Sequence, residues 1–181
     1  EYLLKTEKDD LFKLYILDGF MNRFRSTVYR QTLFAEFELE MHRQVEKGGT
    51  LTGEWLNKKY LELTRLYYGH DKGIVEVGDF IGSEWSSVPH FYLNYYVFTY
   101  ATGMIASQAL TDIVLKGGNA EREKYLDFLK TGGSRYPLDT LKLAGVDMTA
   151  TAPAEAAFKR FDRMVDRMEQ IVKRLKKQGK L

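Results

Sequence analysis

The chain has 181 residues, of which 44% are hydrophobic, a net charge of +2 and no cysteine. That length allows one domain with a sizeable core, and the composition excludes a disordered chain. The balanced charge argues against nucleic-acid and membrane-surface partners, and the missing cysteines exclude disulfides and thiolate metal sites. A reducing compartment fits, so a cytoplasmic location is expected. No apolar run approaches the roughly 20 residues of a membrane span, and no signal-peptide pattern is present. The sequence starts at Glu1 directly in helical pattern, so it reads as a piece of a longer protein.

Apolar residues from Leu11 to Val45 recur at three- and four-residue spacings, which predicts helix from about Asp9 to Lys47, with Gly19 as a weak point that admits a bend or a division into two helices. Gly48-Gly49 ends it. Thr52 caps a second helix over 53–68 that Gly69 closes. Residues 70–84 read as a loop, with a short strand over 74–77. Pro89 suits the first turn of a long helix that runs to Leu115 and stops at Gly117-Gly118. Asn119 caps a short helix over 120–130. A Gly-rich loop follows, and Pro137 begins another helix that ends at Gly145. Pro153 opens the last helix, whose stripe runs from Ala157 through Met164 and Ile171 to Leu175. No repeat or second domain is visible. Residues 1–181 therefore read as one all-α domain, a helical bundle or part of one.

The stretch from Trp85 to Gly103 concentrates the chemistry. It holds His90 and the aromatics Phe91, Tyr92, Tyr95, Tyr96, Phe98 and Tyr100. As one helix, at about 100° per residue, it would set Leu93, Val97, Tyr100 and Ala101 on one face. Tyr92, Tyr95, Tyr96 and Thr99 would form the other. Phenols are neutral donors near pH 7 and suit an oxyanion that exists only in a transition state. The same tyrosines also suit an amphipathic core rim with wet hydroxyls. Residue chemistry leaves both readings open.

Other candidates are weaker. Glu38 and His42 share a helix face, but a catalytic zinc usually takes three protein groups, so His42 reads as a surface histidine. There is no His-Glu-x-x-His, phosphate loop, dinucleotide fingerprint or nucleophile elbow. Arg25, Arg30 and Gln31 read as solvated helix residues. The basic C-terminus complements a helix dipole and is not read as a nucleic-acid site.

Several stretches together resemble the oligoendopeptidase F family of zinc peptidases. They are Phe24-Arg-Ser-Thr-Val-Tyr-Arg-Gln-Thr-Leu-Phe-Ala-Glu-Phe-Glu38 with His42, then Leu51-Thr52, then Tyr67-Tyr68-Gly69. Pro89-His-Phe-Tyr with Tyr95-Tyr96-Val-Phe-Thr-Tyr-Ala-Thr-Gly103 follows, and then Gly132-Gly-Ser-Arg-Tyr-Pro137 with Leu141-Lys-Leu-Ala-Gly-Val-Asp147. The resemblance implies the C-terminal part of a zincin-like, largely helical oligopeptidase catalytic domain that cleaves short peptides. It implies a zinc held upstream of Glu1 by two histidines of His-Glu-x-x-His and a later glutamate. No metal ligand is expected in this chain, which by itself would lack peptidase activity.

His90 matches the family's histidine that contacts bound peptide or the tetrahedral intermediate. Tyr95 and Tyr96 match its oxyanion-stabilising groups, and Tyr92 and Tyr100 are further substrate-binding candidates. Spacing leaves Tyr92, Tyr95 and Tyr96 as alternative main donors. Phe98 stands where the family often has tyrosine. Expected partners are a peptide and the missing N-terminal portion, with self-association through the surface that portion would cover. The rival reading is a non-catalytic helical interaction domain of the same shape.

Overall fold

A computed structural model describes residues 2–181, and among these every regular element is helical. The α-helices are α1 (Tyr2–Thr6), α2 (Asp10–Phe24), α3 (Arg30–Glu46), α4 (Gly53–Tyr68), α5 (Phe98–Lys116), α6 (Asn119–Lys130), α7 (Pro137–Leu143) and α8 (Ala152–Lys177). The chain divides into two compact units, residues 26–101 in one and 1–25 with 102–181 in the other.

The unit of residues 26–101 is built on α3 and α4. Leu33, Phe34 and Phe37 of α3 meet Leu56, Tyr60 and Leu63 of α4, and Val88 and Val97 close the cluster. Its aromatics pack edge to face, the favoured geometry for ring quadrupoles. Phe37 lies 5.2 Å from Tyr60 at 85°, and Phe91 lies 5.4 Å from Phe34 and 5.1 Å from Phe37. α4 starts and stops as its sequence dictates. Thr52 Oγ1 accepts the Trp55 N–H at 3.2 Å, and Gly69 ends the helix in the left-handed region at φ 68°.

Glu84 sits between α3 and α4 and serves both. It accepts hydrogen bonds from Arg30 at 2.5 Å and from the Tyr60 hydroxyl at 2.6 Å. Arg30 is therefore paired and half-buried over the Phe34 ring, not solvated as its sequence context suggests. Burial pushes the Glu84 carboxyl up, but the Tyr60 and Arg30 hydrogen bonds outweigh it and hold it below its ordinary value. Burial first, then the Glu84 hydrogen bond, pushes the Tyr60 phenol well up, so it stays a donor.

In the other unit, α8 lies along α2. Met164, Ile171 and Leu175 bury against Leu17, with Leu4 joining from α1. Phe24 stacks on Phe161 at 4.8 Å, and Arg174 grips Asp10 through two hydrogen bonds of 2.8 and 3.0 Å. A second cluster gathers Leu110 of α5 with Ala144 and Val146.

Four expectations need correction. Gly19 does not bend α2; the irregularity is a π-helical turn at Arg25–Tyr29, where Gln31 Nε2 donates to the Ser26 carbonyl at 3.2 Å. Residues 74–77 form no strand. They lie between 3₁₀ turns at His70–Lys72 and Asp79–Ser87 with no neighbour to pair with, and the Val77 N–H goes to His70 Nδ1 at 3.0 Å. Gly118, not Asn119, is the N-cap of α6, and its N–H donates back to Glu121 at 3.1 Å. Finally, no helix runs from Pro89 to Leu115. Pro89–Tyr92 is one 3₁₀ turn, and α5 starts only at Phe98. Phe91 and Val97 both drop into the core, a pairing that a continuous helix cannot supply.

Two glycines predict opposite outcomes. Gly19 has open space where a side chain would go, so Gly19→Ala should raise stability by about 0.5–1 kcal/mol. At Gly69 a Cβ would sit 2.9 Å from Ile74 Cδ1 on a left-handed backbone, so Gly69→Ala should lower stability by about 1–2 kcal/mol. Urea midpoints measure both. Glu84→Gln tests the linkage. A carboxyl held below its ordinary value of 4.5 contributes stability above that value and loses it as pH falls through the lowered one. The variant should be less stable near neutral pH by about 1–2 kcal/mol, and the gap should shrink near pH 3.

Candidate functional site

The broken helix makes the site. On a continuous helix, His90 and Tyr100 would stand ten residues and about 15 Å apart along the axis. In the structure their rings are 5.3 Å apart at 84°. Tyr96 lies nearly parallel to the His90 ring at 6.3 Å and 14°. Tyr96 in turn meets Tyr100 edge to face at 5.4 Å, and its hydroxyl donates to the Tyr100 oxygen at 3.2 Å. Phe34 backs the imidazole at 6.4 Å, and the neighbouring Phe91 anchors the 3₁₀ turn in the core. His90, Tyr96 and Tyr100 thus form one cluster with the phenols at the surface.

The break itself is held from α3. Tyr95 is the only described residue other than glycine with positive φ, at 59°. Its N–H donates to Glu38 Oε1 at 2.8 Å, and Glu38 is buried. The Tyr95 ring stacks on His42 at 4.8 Å and 23°, one helical turn along α3 from Glu38. Its hydroxyl reaches His42 Nδ1 at the long distance of 3.4 Å.

The five residues singled out from the sequence therefore fall into three places. His90, Tyr96 and Tyr100 are together. Tyr95 leans away onto His42. Tyr92 is exposed, and its hydroxyl donates to the Ser86 carbonyl at 3.2 Å. The sequence does not reveal Glu38 as a backbone clamp. Its one signal is its position on the buried face of α3, one turn from Phe34 and beside Phe37, where a carboxylate needs a partner.

The electrostatics suit neutral hydrogen-bond donation. The Tyr96 hydrogen bond, then burial, holds the Tyr100 phenol above its ordinary value, so it remains protonated through neutral pH. His90 Nδ1 is buried without a hydrogen-bond partner. No three His, Cys, Asp or Glu side chains among the described residues gather to hold a metal ion.

The sequence model of Peptidase family M3 matches residues 1–160. The chain is 48% identical over 176 residues to oligopeptidase PepF of Bacillus subtilis (strain 168), covering 97% of this chain and 26% of that protein. It is 43% identical over 175 residues to the plasmid-encoded oligoendopeptidase F of Lactococcus lactis subsp. cremoris, covering 96% of this chain and 28% of that one. The crystal structure of oligoendopeptidase-F from Enterococcus faecium matches with a TM-score of 0.89 at 45% identity, over 96% of this chain and 33% of that chain. The chain thus spans between 26% and 33% of the length of these relatives. Its all-helical fold and its sequence agree, and the chain belongs to peptidase family M3.

Proposed function

We propose that this chain is the C-terminal part of a zinc metallo-oligoendopeptidase, one piece of a larger catalytic domain that hydrolyses short peptides. It supplies substrate-binding and oxyanion-stabilising groups, while upstream residues hold the zinc. The carrying observation is the His90–Tyr96–Tyr100 cluster, an imidazole and two phenols gathered on an open face. His90 Nε2 donates to a peptide carbonyl and orients it. Tyr96 and Tyr100 offer hydroxyls to the oxygen that gains charge as the scissile carbon becomes tetrahedral. The Tyr100 hydroxyl, which accepts from Tyr96, is free to donate to that charge, and Tyr96 joins it by turning its hydroxyl from the Tyr100 oxygen. Tyr95, whose ring lies apart from the cluster on His42, is a further donor, and the exposed Tyr92 is a peptide contact.

Zinc, when bound by the upstream portion, would supply Lewis-acid chemistry; the residues described here bind and orient. The exposed apolar side chains of Leu11, Phe12 and Tyr15 are suited to burial against that portion, and self-association is expected without it. No helix among the described residues is long and apolar enough to cross a membrane. A cytoplasmic site of action accords with the cysteine-free composition.

Joined to its upstream sequence, the enzyme should lose turnover in at least one of Tyr95→Phe and Tyr96→Phe, by about 10²-fold, with KM little changed. Full turnover in both would remove the oxyanion role from this pair. The 181-residue chain alone should carry well under one zinc on metal analysis after purification. One tightly held zinc per chain would show that the metal site lies here and would overturn the division of labour.

A further inference from the structure

Tyr95 adopts a left-handed backbone conformation, at φ 59°, that is costly for a residue with a Cβ unless its surroundings compel it. The compelling group is visible. Glu38 offers a buried carboxylate oxygen 2.8 Å from the Tyr95 N–H. Pairing also resolves the carboxylate's own difficulty, because a buried carboxylate without a donor is expensive. His42, four residues on, receives the ring on its face. α3 thus grips Tyr95 at two points, the peptide and the side chain.

The consequence reaches beyond Tyr95. The chain leaves the Pro89–Tyr92 turn at Leu93, with φ −130° and ψ 88°, and φ 59° at Tyr95 then turns it again before α5. The reversal that results brings Tyr96 and Tyr100 beside His90. The Glu38 contact fixes the second of these two turns, the one that leads directly into Tyr96 and Tyr100.

We propose that Glu38 is a positioning residue: its carboxylate holds the Tyr95 peptide in the left-handed conformation and thereby assembles the His90–Tyr96–Tyr100 cluster. Its relevance to catalysis rests on the peptidase reading above; the clamp itself is a statement about geometry and is tested separately.

The chain contains three histidines, His42, His70 and His90, so labelling histidine with ¹³C at Cε1 gives three assignable NMR signals. In the wild-type chain, the Tyr96 and Tyr100 rings displace the His90 signal. Glu38→Ala should move it toward that of a free imidazole while His70 stays put. Glu38→Gln, whose amide oxygen can still accept the Tyr95 N–H, should keep it in place. Combining Glu38→Ala with Tyr95→Gly should restore it, because glycine takes positive φ without steric cost. General loss of folding would not be repaired by a glycine at 95. An unmoved His90 signal in Glu38→Ala, or no repair by Tyr95→Gly, overturns the clamp. In the enzyme joined to its upstream sequence, Glu38→Ala should lower kcat by about 10²-fold with KM nearly unchanged, and Glu38→Gln should retain most turnover. If the His90 signal moves as expected while turnover is unaffected, the clamp stands and the catalytic reading of the cluster fails.

Discussion

One hydrogen bond orders the candidate site, from the Tyr95 N–H to the buried Glu38 carboxylate. It joins residues 57 apart in the chain and acts on a backbone group, not on a reactive side chain. A charge-assisted bond of this kind is among the stronger ones a protein makes. Here it offsets the strain of a left-handed tyrosine. The arrangement has two components, a helix packed through Phe34 and Phe37 and a short segment pinned against it. Rigid support from a helix is what a donor cluster needs if its groups are to be in place before charge develops.

The neighbouring Glu84 works by a different logic within the same unit. It is shared between Arg30 and Tyr60, so it links α3 and α4 through side chains alone. Glu38 bends the chain, whereas Glu84 fastens two helices that local sequence already forms. Glu38 is buried and Glu84 is partly so. Each is tolerated because a donor from a distant part of the chain meets it.

Local rules made much of the fold legible. The α8 stripe, the Thr52 cap, the Gly69 stop and the start of α7 at Pro137 are all written within a few residues of where they act. The failures share a cause. The 89–115 pattern is helical by period, yet Val88, Phe91 and Val97 all enter the core, and a distant carboxylate takes the Tyr95 N–H. Tertiary contacts override periodicity there, as they do at Arg30, whose partner lies 54 residues on. The residues of the candidate site were nameable from their chemistry and from family likeness, but their grouping was not. A helical wheel puts Tyr92, Tyr95 and Tyr96 on one face, while the structure sends their hydroxyls to three different partners.

The left-handed tyrosine also bears on how this segment can change over descent. A residue with a Cβ at position 95 and an acceptor at position 38 form one inherited character, because each is costly without the other. Glycine at 95 would release 38 to become an ordinary apolar core position. Loss of the carboxylate first would leave the tyrosine strained and select for that same glycine. Substitutions at these two sites should therefore travel in pairs along a lineage, and a chimera that takes one from each of two relatives would inherit the strain without its remedy.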